Sequence, residues 1–151
     1  MTPFSSYFIF FPNKSKVLST FFSIRKRKIH FNLDQFKELV TRSLQEIPKE
    51  FLEYLENLEI IVEEEPSPEV LQELGLGKED LLFGLYQGIP RPEKSTFQGV
   101  SLPDRITLFR RPILSSCRSK QEILDQIRKT LVHEMAHHFG FPEKRIRQLG
   151  Y

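Results

Sequence analysis

The sequence predicts an α+β fold, with three short strands, one long helix and several shorter helices. Three observations lead there. Apolar residues recur at helical spacing in two separate stretches, Phe36 to Ile47 and Ile123 to Val132. Between them lie three short runs rich in β-branched or aromatic residues, Leu58–Glu63, Leu81–Gly88 and Ile106–Phe109. The chain has 151 residues, 39% hydrophobic and 28% charged, which suits one folded core better than two.

The N-terminal segment has a different composition. Residues 1–33 hold no Asp or Glu but six basic residues, Lys14, Lys16, Arg25, Lys26, Arg27 and Lys28. Tyr7-Phe8-Ile9-Phe10-Phe11 is apolar and is broken by Pro12 and Asn13. A secretory signal carries its charges ahead of the apolar run, and here they follow it. Residues 1–30 are therefore read as an extension with no fold of its own, or else a targeting peptide, and residues 31–151 as the folded domain. The basic segment also masks a mildly acidic body, which argues against nucleic acid as a partner.

From Asn32 the elements follow one another with clear signals. Asn32 caps a helix with Gln35 three residues on, closing a capping box, and Phe36, Leu39, Val40, Leu44 and Ile47 form its apolar face. Pro48 opens a second short helical stretch containing Phe51, Leu52 and Leu55. Leu58–Glu63 is a strand. Ser67 then caps a short helix with Pro68 at its first position, and Gly75 stops it. Leu81–Gly88 is the next strand, and its two glycines mark a bulge or a close backbone approach. Pro90, Pro92, Gly99 and Pro103 make 89–103 a loop, and Ile106–Phe109 is the third strand. Ser119 and Glu122 form a second capping box at the head of the long helix, Gly140 ends it, and Pro142 opens a last helix through Leu149.

Three of the four histidines lie within residues 133–138, at the end of the long helix. Positions four apart on a helix sit about 40° apart on one face, so His133 and His137 can aim ring nitrogens at one ion. Zinc accepts imidazole nitrogen at about 2.0–2.1 Å. Glu134 flanks the same face and can take a proton from an attacking water, the role of a general base beside a Lewis acid. The plainer alternative is a helix end where histidines favour the C-terminal dipole. The capped, amphipathic run from Ile123 to Val132 supplies the context a metal site needs.

A catalytic zinc commonly takes three protein ligands and leaves a position open. His138 lies about 100° round the helix from His137 and reads as a packing residue. Glu143 is the third-ligand candidate, because Gly140 lets the backbone turn and return a carboxylate to the ion. Its alternative is a solvated carboxylate in the first turn of the last helix. A layout with a third histidine at that position and a later methionine turn is excluded, since the methionines are Met1 and Met135.

His133 to Gly140 (HEMAHHFG), the closing Leu149-Gly150-Tyr151, the strand Leu82 to Gly88 and the run Ile106 to Ile113 together resemble the small bacterial zincin-like metallopeptidases, or minimal zincins. The resemblance covers about residues 33–151. It implies an α+β zincin-like fold, with a small mixed β-sheet of three to four strands packed against the active-site helix and two to three other helices, zinc ligands at His133 and His137, and Glu134 as the catalytic residue. The family usually has aspartate where Glu143 stands.

These readings point to a zinc-dependent peptidase. Its partner would be a peptide or protein held by β-augmentation along strand 84–88. Tyr86 is a candidate oxyanion donor or simply a sheet aromatic, and Arg110 and Arg111 could bind a carboxylate. A zinc-dependent nuclease and a non-catalytic zinc-stabilised binding module are the alternatives. No apolar run approaches the roughly 20 residues of a membrane span. A single cysteine, Cys117, rules out an intrachain disulfide and fits a cytoplasmic setting.

Overall fold

The computed structural model describes residues 5–11, 29–47, 58–77, 79–88, 104–142 and 144. Its elements in chain order are β1 (Ser5–Phe11), α1 (Leu33–Gln45), β2 (Leu58–Glu63), α2 (Pro68–Glu73), β3 (Leu81–Gly88), β4 (Asp104–Phe109), α3 (Arg110–Ser116) and α4 (Lys120–His138). The expected α+β architecture is present. One four-stranded sheet has the order β1-β3-β4-β2. It is mixed, because β1 and β3 pair antiparallel, as do β3 and β4, whereas β2 runs parallel to β4.

Local chemistry explains the helix starts. The Asn32 side chain accepts from the Gln35 amide at 2.9 Å, and the Gln35 side chain accepts from the Asn32 amide at 3.0 Å. Ser67 caps α2 through the Val70 amide, with Pro68 in the first turn. At α4 the box is only half closed. Ser119 Oγ accepts from the Glu122 amide, but the Glu122 carboxylate takes the Arg118 amide instead of that of Ser119.

The main core lies between one sheet face and the helices α1 and α4. Phe36, Tyr86, Ile106, Leu108, Ile113, Ile123, Ile127, Leu131 and Met135 are all fully buried in it. A smaller cluster on the other face joins Leu82, Leu85 and Phe109 to Val70, Leu74 and Leu76 around α2. The register of β1 on β3 shifts between Ile9 and Phe10, from Gly84 to Leu82. Such a shift breaks strict alternation. Phe83 and Tyr86, three residues apart, thus share the main core while Leu82 and Leu85 share the other.

The structure departs from the sequence reading at three places. Ser5–Phe11 is drawn into the sheet as an edge strand, although residues 1–30 read as an extension outside the fold. β4 begins at Asp104 rather than Ile106, because pairing with Leu58 of β2 extends it. Helix α3 carries no start signal: Phe109 precedes it with no side-chain cap and Pro112 sits inside its first turn. The helices read over 48–55 and 142–149 lie outside the described residues, apart from Pro142 and Lys144. Among the described residues no helix is long and apolar enough to cross a membrane.

Candidate active site

Helix α4 delivers the site. Its buried stripe of Ile123, Ile127 and Leu131 fixes how the helix rolls against the sheet. That roll sets the direction of the next turn. His133 is 5% exposed, Glu134 0% and His137 3%. The two imidazole rings stand edge to face, with centroids 4.9 Å apart. The pairing expected from the i, i+4 spacing is thus realised in space.

Gly84 of β3 is the reason Glu134 can sit so deep. A Cβ at Gly84 would lie 2.6 Å from Thr130 Cγ2, 3.3 Å from the Thr107 carbonyl oxygen and 3.4 Å from Glu134 Cγ. The strand and the helix therefore meet here at a distance that only glycine permits. The reading of a close backbone approach in this strand gains its partner: the turn of α4 that bears Glu134.

The helix ends in a Schellman motif. The Phe141 amide bonds the Ala136 carbonyl at 3.0 Å and the Gly140 amide bonds the His137 carbonyl at 2.8 Å. Gly140 takes φ 73°, the left-handed conformation expected of it. The chain therefore reverses immediately after the second histidine. The third-ligand candidate Glu143 lies outside the described residues, as does the His138 side chain. Among the described residues, no group of three or more His, Cys, Asp or Glu side chains is arranged to hold a metal ion.

Other candidates are placed elsewhere. Tyr86 is fully buried in the core, and its hydroxyl and the Asp104 carboxylate both lie within 2.8 Å of the point a Gly88 Cβ would occupy. That point is roughly 13 Å along an extended strand from Gly84, so the geometry favours the sheet-aromatic reading of Tyr86. Asp104, 3% exposed, is a buried carboxylate that the sequence did not single out, because it adjoins a loop-like run. Arg110 and Arg111 do bind carboxylates, but those of the same chain. Arg110 donates to both Glu64 oxygens, at 3.0 Å and 2.6 Å, and also to the Phe31 carbonyl; Arg111 donates to Glu65 at 2.9 Å. The Arg110 hydrogen bond, with the nearby charges of both arginines, holds the Glu64 carboxyl below its ordinary range. Burial pushes the Cys117 thiol up, which makes it a poor nucleophile.

The imidazole donors of His133 and His137 are of a type that zinc accepts. The two imidazoles lie close together in one helical turn, and the adjacent carboxylate is fully buried.

Comparison with known protein families supports this reading. A family described as zincin-like metallopeptidase matches residues 55–151, which include α4 and three of the four strands. A comparison with curated proteins finds no match. A solved structure, a conserved hypothetical protein from Thermus thermophilus, is similar at TM-score 0.46 and 25% identity, over 71% of this chain and 92% of that one. With the family match spanning most of the chain and the paired histidines on a buried helix face, the chain belongs to the zincin-like metallopeptidase family.

Proposed function

We propose that the protein hydrolyses peptide bonds, with zinc held by His133 and His137 and with Glu134 as general base. The single observation that carries the proposal is the closeness of the two buried imidazoles, with ring centroids 4.9 Å apart, in the helical turn that also buries Glu134. A zinc ion in such a site lowers the pKa of its water towards about 7 and polarises a carbonyl. Glu134 removes the proton of the attacking water and delivers it to the leaving amine. The tight packing of Gly84 against the turn that bears Glu134 supports this role. Glu143 completes the protein ligands: the reversal at Gly140 turns the chain back just upstream of it.

The substrate is an extended peptide, paired along strand 84–88. In that mode main-chain hydrogen bonds give affinity, and alternate side-chain positions give selectivity.

Glu134→Gln tests the assignment. The variant keeps its zinc, measured by elemental analysis, and loses about 10²–10⁴-fold in cleavage of labelled casein. Zinc retention with undiminished cleavage overturns the role of Glu134. RNA cleavage abolished by the same change points to a nuclease, and absence of any turnover points to a binding module. Glu143→Ala weakens zinc binding by more than the roughly 10–100-fold typical of losing an outer hydrogen-bond partner. Unchanged zinc affinity removes Glu143 from the ligand set.

A further inference from the structure

We infer that β1 occupies the peptide-binding edge of β3, so that the protein's own N-terminal segment competes with substrate and shows what that substrate resembles. The inference rests on the peptidase reading above. In the sheet order β1-β3-β4-β2, β3 would be an edge strand if β1 were absent. Ser5–Phe11 pairs antiparallel with it from Gly88 to Leu81. This is the edge along which an extended peptide would add as a strand.

The register places the occupant beside the chemistry. Ile9 stands opposite Gly84, the residue against which Thr130 and Glu134 pack, and β1 also contacts helix α4 itself. A peptide in the same position would pass its main chain along the turn of α4 that carries the proposed base. The resident segment is Ser-Ser-Tyr-Phe-Ile-Phe-Phe, with no charged residue. The geometry therefore assigns an antiparallel, extended, aromatic-rich and uncharged peptide as the ligand class of this edge.

Pairing also limits access. Apart from the break at Phe83, β3 is already paired with β1 from Gly88 to Leu81, so an incoming strand must first displace the resident one. The intramolecular strand is present at a high effective concentration, which lowers the apparent affinity of any competitor.

A paired proline substitution in the full chain, Phe8→Pro with Ile9→Pro, tests this. Successive amides of a strand point to opposite edges, so one of the two prolines removes an amide facing β3. The probe is a fluorescein-labelled peptide of residues 3–14, bound to zinc-loaded protein also carrying Glu134→Gln so that it is not consumed. Detachment of β1 is checked by hydrogen exchange of the β3 amides, and those amides regain protection when the peptide is added. We expect the proline pair to bind the peptide at least tenfold more tightly than the protein with native β1. We also expect casein cleavage to rise at least tenfold in the Glu134 background. Equal peptide affinity with β1 detached overturns the inference. Because peptide binding needs no turnover, that outcome is separate from failure of the peptidase reading, in which neither form cleaves casein.

A second variant guards against misfolding. Ser6 pairs with Gln87 in the register, and Gln87 is exposed. Ser6→Cys with Gln87→Cys, in a Cys117→Ser background, can be oxidised to lock β1 on β3, since paired strand Cα atoms are about 4.5–5.5 Å apart. Oxidation is expected to abolish binding of the peptide, and dithiothreitol to restore the binding of the reduced form. A locked protein that binds the peptide as well as the reduced one overturns the inference.

Discussion

Gly84 stands where the strand backbone packs tightly on the turn of α4 that bears Glu134, and its missing methyl group makes that packing possible. A Cβ there would sit 2.6 Å from Thr130 Cγ2. Thr130 cannot easily swing aside, because it is fully buried and its hydroxyl donates to the Gln126 carbonyl at 2.8 Å. Gly84→Ala should therefore cost about 1–3 kcal/mol, the usual range for overpacking. Thr130→Ser removes the obstructing methyl and keeps the hydroxyl, so the double variant should lose less than the sum of the singles. Urea unfolding of all four forms measures the coupling. The proposed peptidase rate should fall in Gly84→Ala, since Glu134 Cγ lies 3.4 Å from the new methyl. The sequence showed that this strand tolerates a close approach; it could not show which helical turn approaches, because that depends on how α4 rolls in the core.

The helix that carries the histidines needs a defined end, and Gly140 supplies it. At φ 73° an L-residue is strained by about 1–2 kcal/mol, so Gly140→Ala should lower stability by that amount, read from chemical denaturation. If Glu143 is a ligand, the same change also weakens zinc binding, because it disturbs the turn between His137 and Glu143. The elements α1, α2 and α4 were legible because each has a cap written in its own residues, and α2 and α4 a glycine stop as well. Helix α3 was not, because its reason to form is tertiary: Ile113 and Pro112 are buried against the core, and Arg110 is anchored to Glu64. That anchor has a pH signature. Glu64 has its pKa lowered in the folded protein, chiefly by the Arg110 hydrogen bond. Its contribution is therefore present above the unfolded carboxylate pKa and disappears as pH falls through the folded value. The carboxylate is 43% exposed, so solvent screening limits the effect to no more than about 1 kcal/mol at pH 7. Glu64→Gln should be less stable than the parent at neutral pH and equal to it in acid, which thermal melts across pH 2–7 would show.

At the scale of the whole molecule, the sheet and the core helices hold one turn of α4 rigidly, and the proposed ion should stabilise that arrangement in return. The α4 core was foreseeable from patterning, and the mixed sheet from the family resemblance; the recruitment of Ser5–Phe11 was not, since an apolar, acid-free segment gives no sign of which edge it will join. The rings of His133 and His137 stand edge to face inside a body in which both are at most 5% exposed. An ion bound there but not to the unfolded chain stabilises the fold by RT ln(1 + [Zn]/Kd), about 2.7 kcal/mol at a hundredfold excess over Kd. For a domain of this size about 1 kcal/mol moves Tm by roughly 2–4 °C, so removing zinc with EDTA should lower Tm by roughly 5–11 °C. His137→Ala should abolish the zinc-dependent shift while leaving a folded protein, since the substitution removes a ring from the end of the helix rather than from its apolar stripe. Glu134→Gln should keep the shift. A scanning-calorimetry trace in which zinc raises the Tm of His137→Ala as much as that of the parent would place the ion somewhere other than this helix.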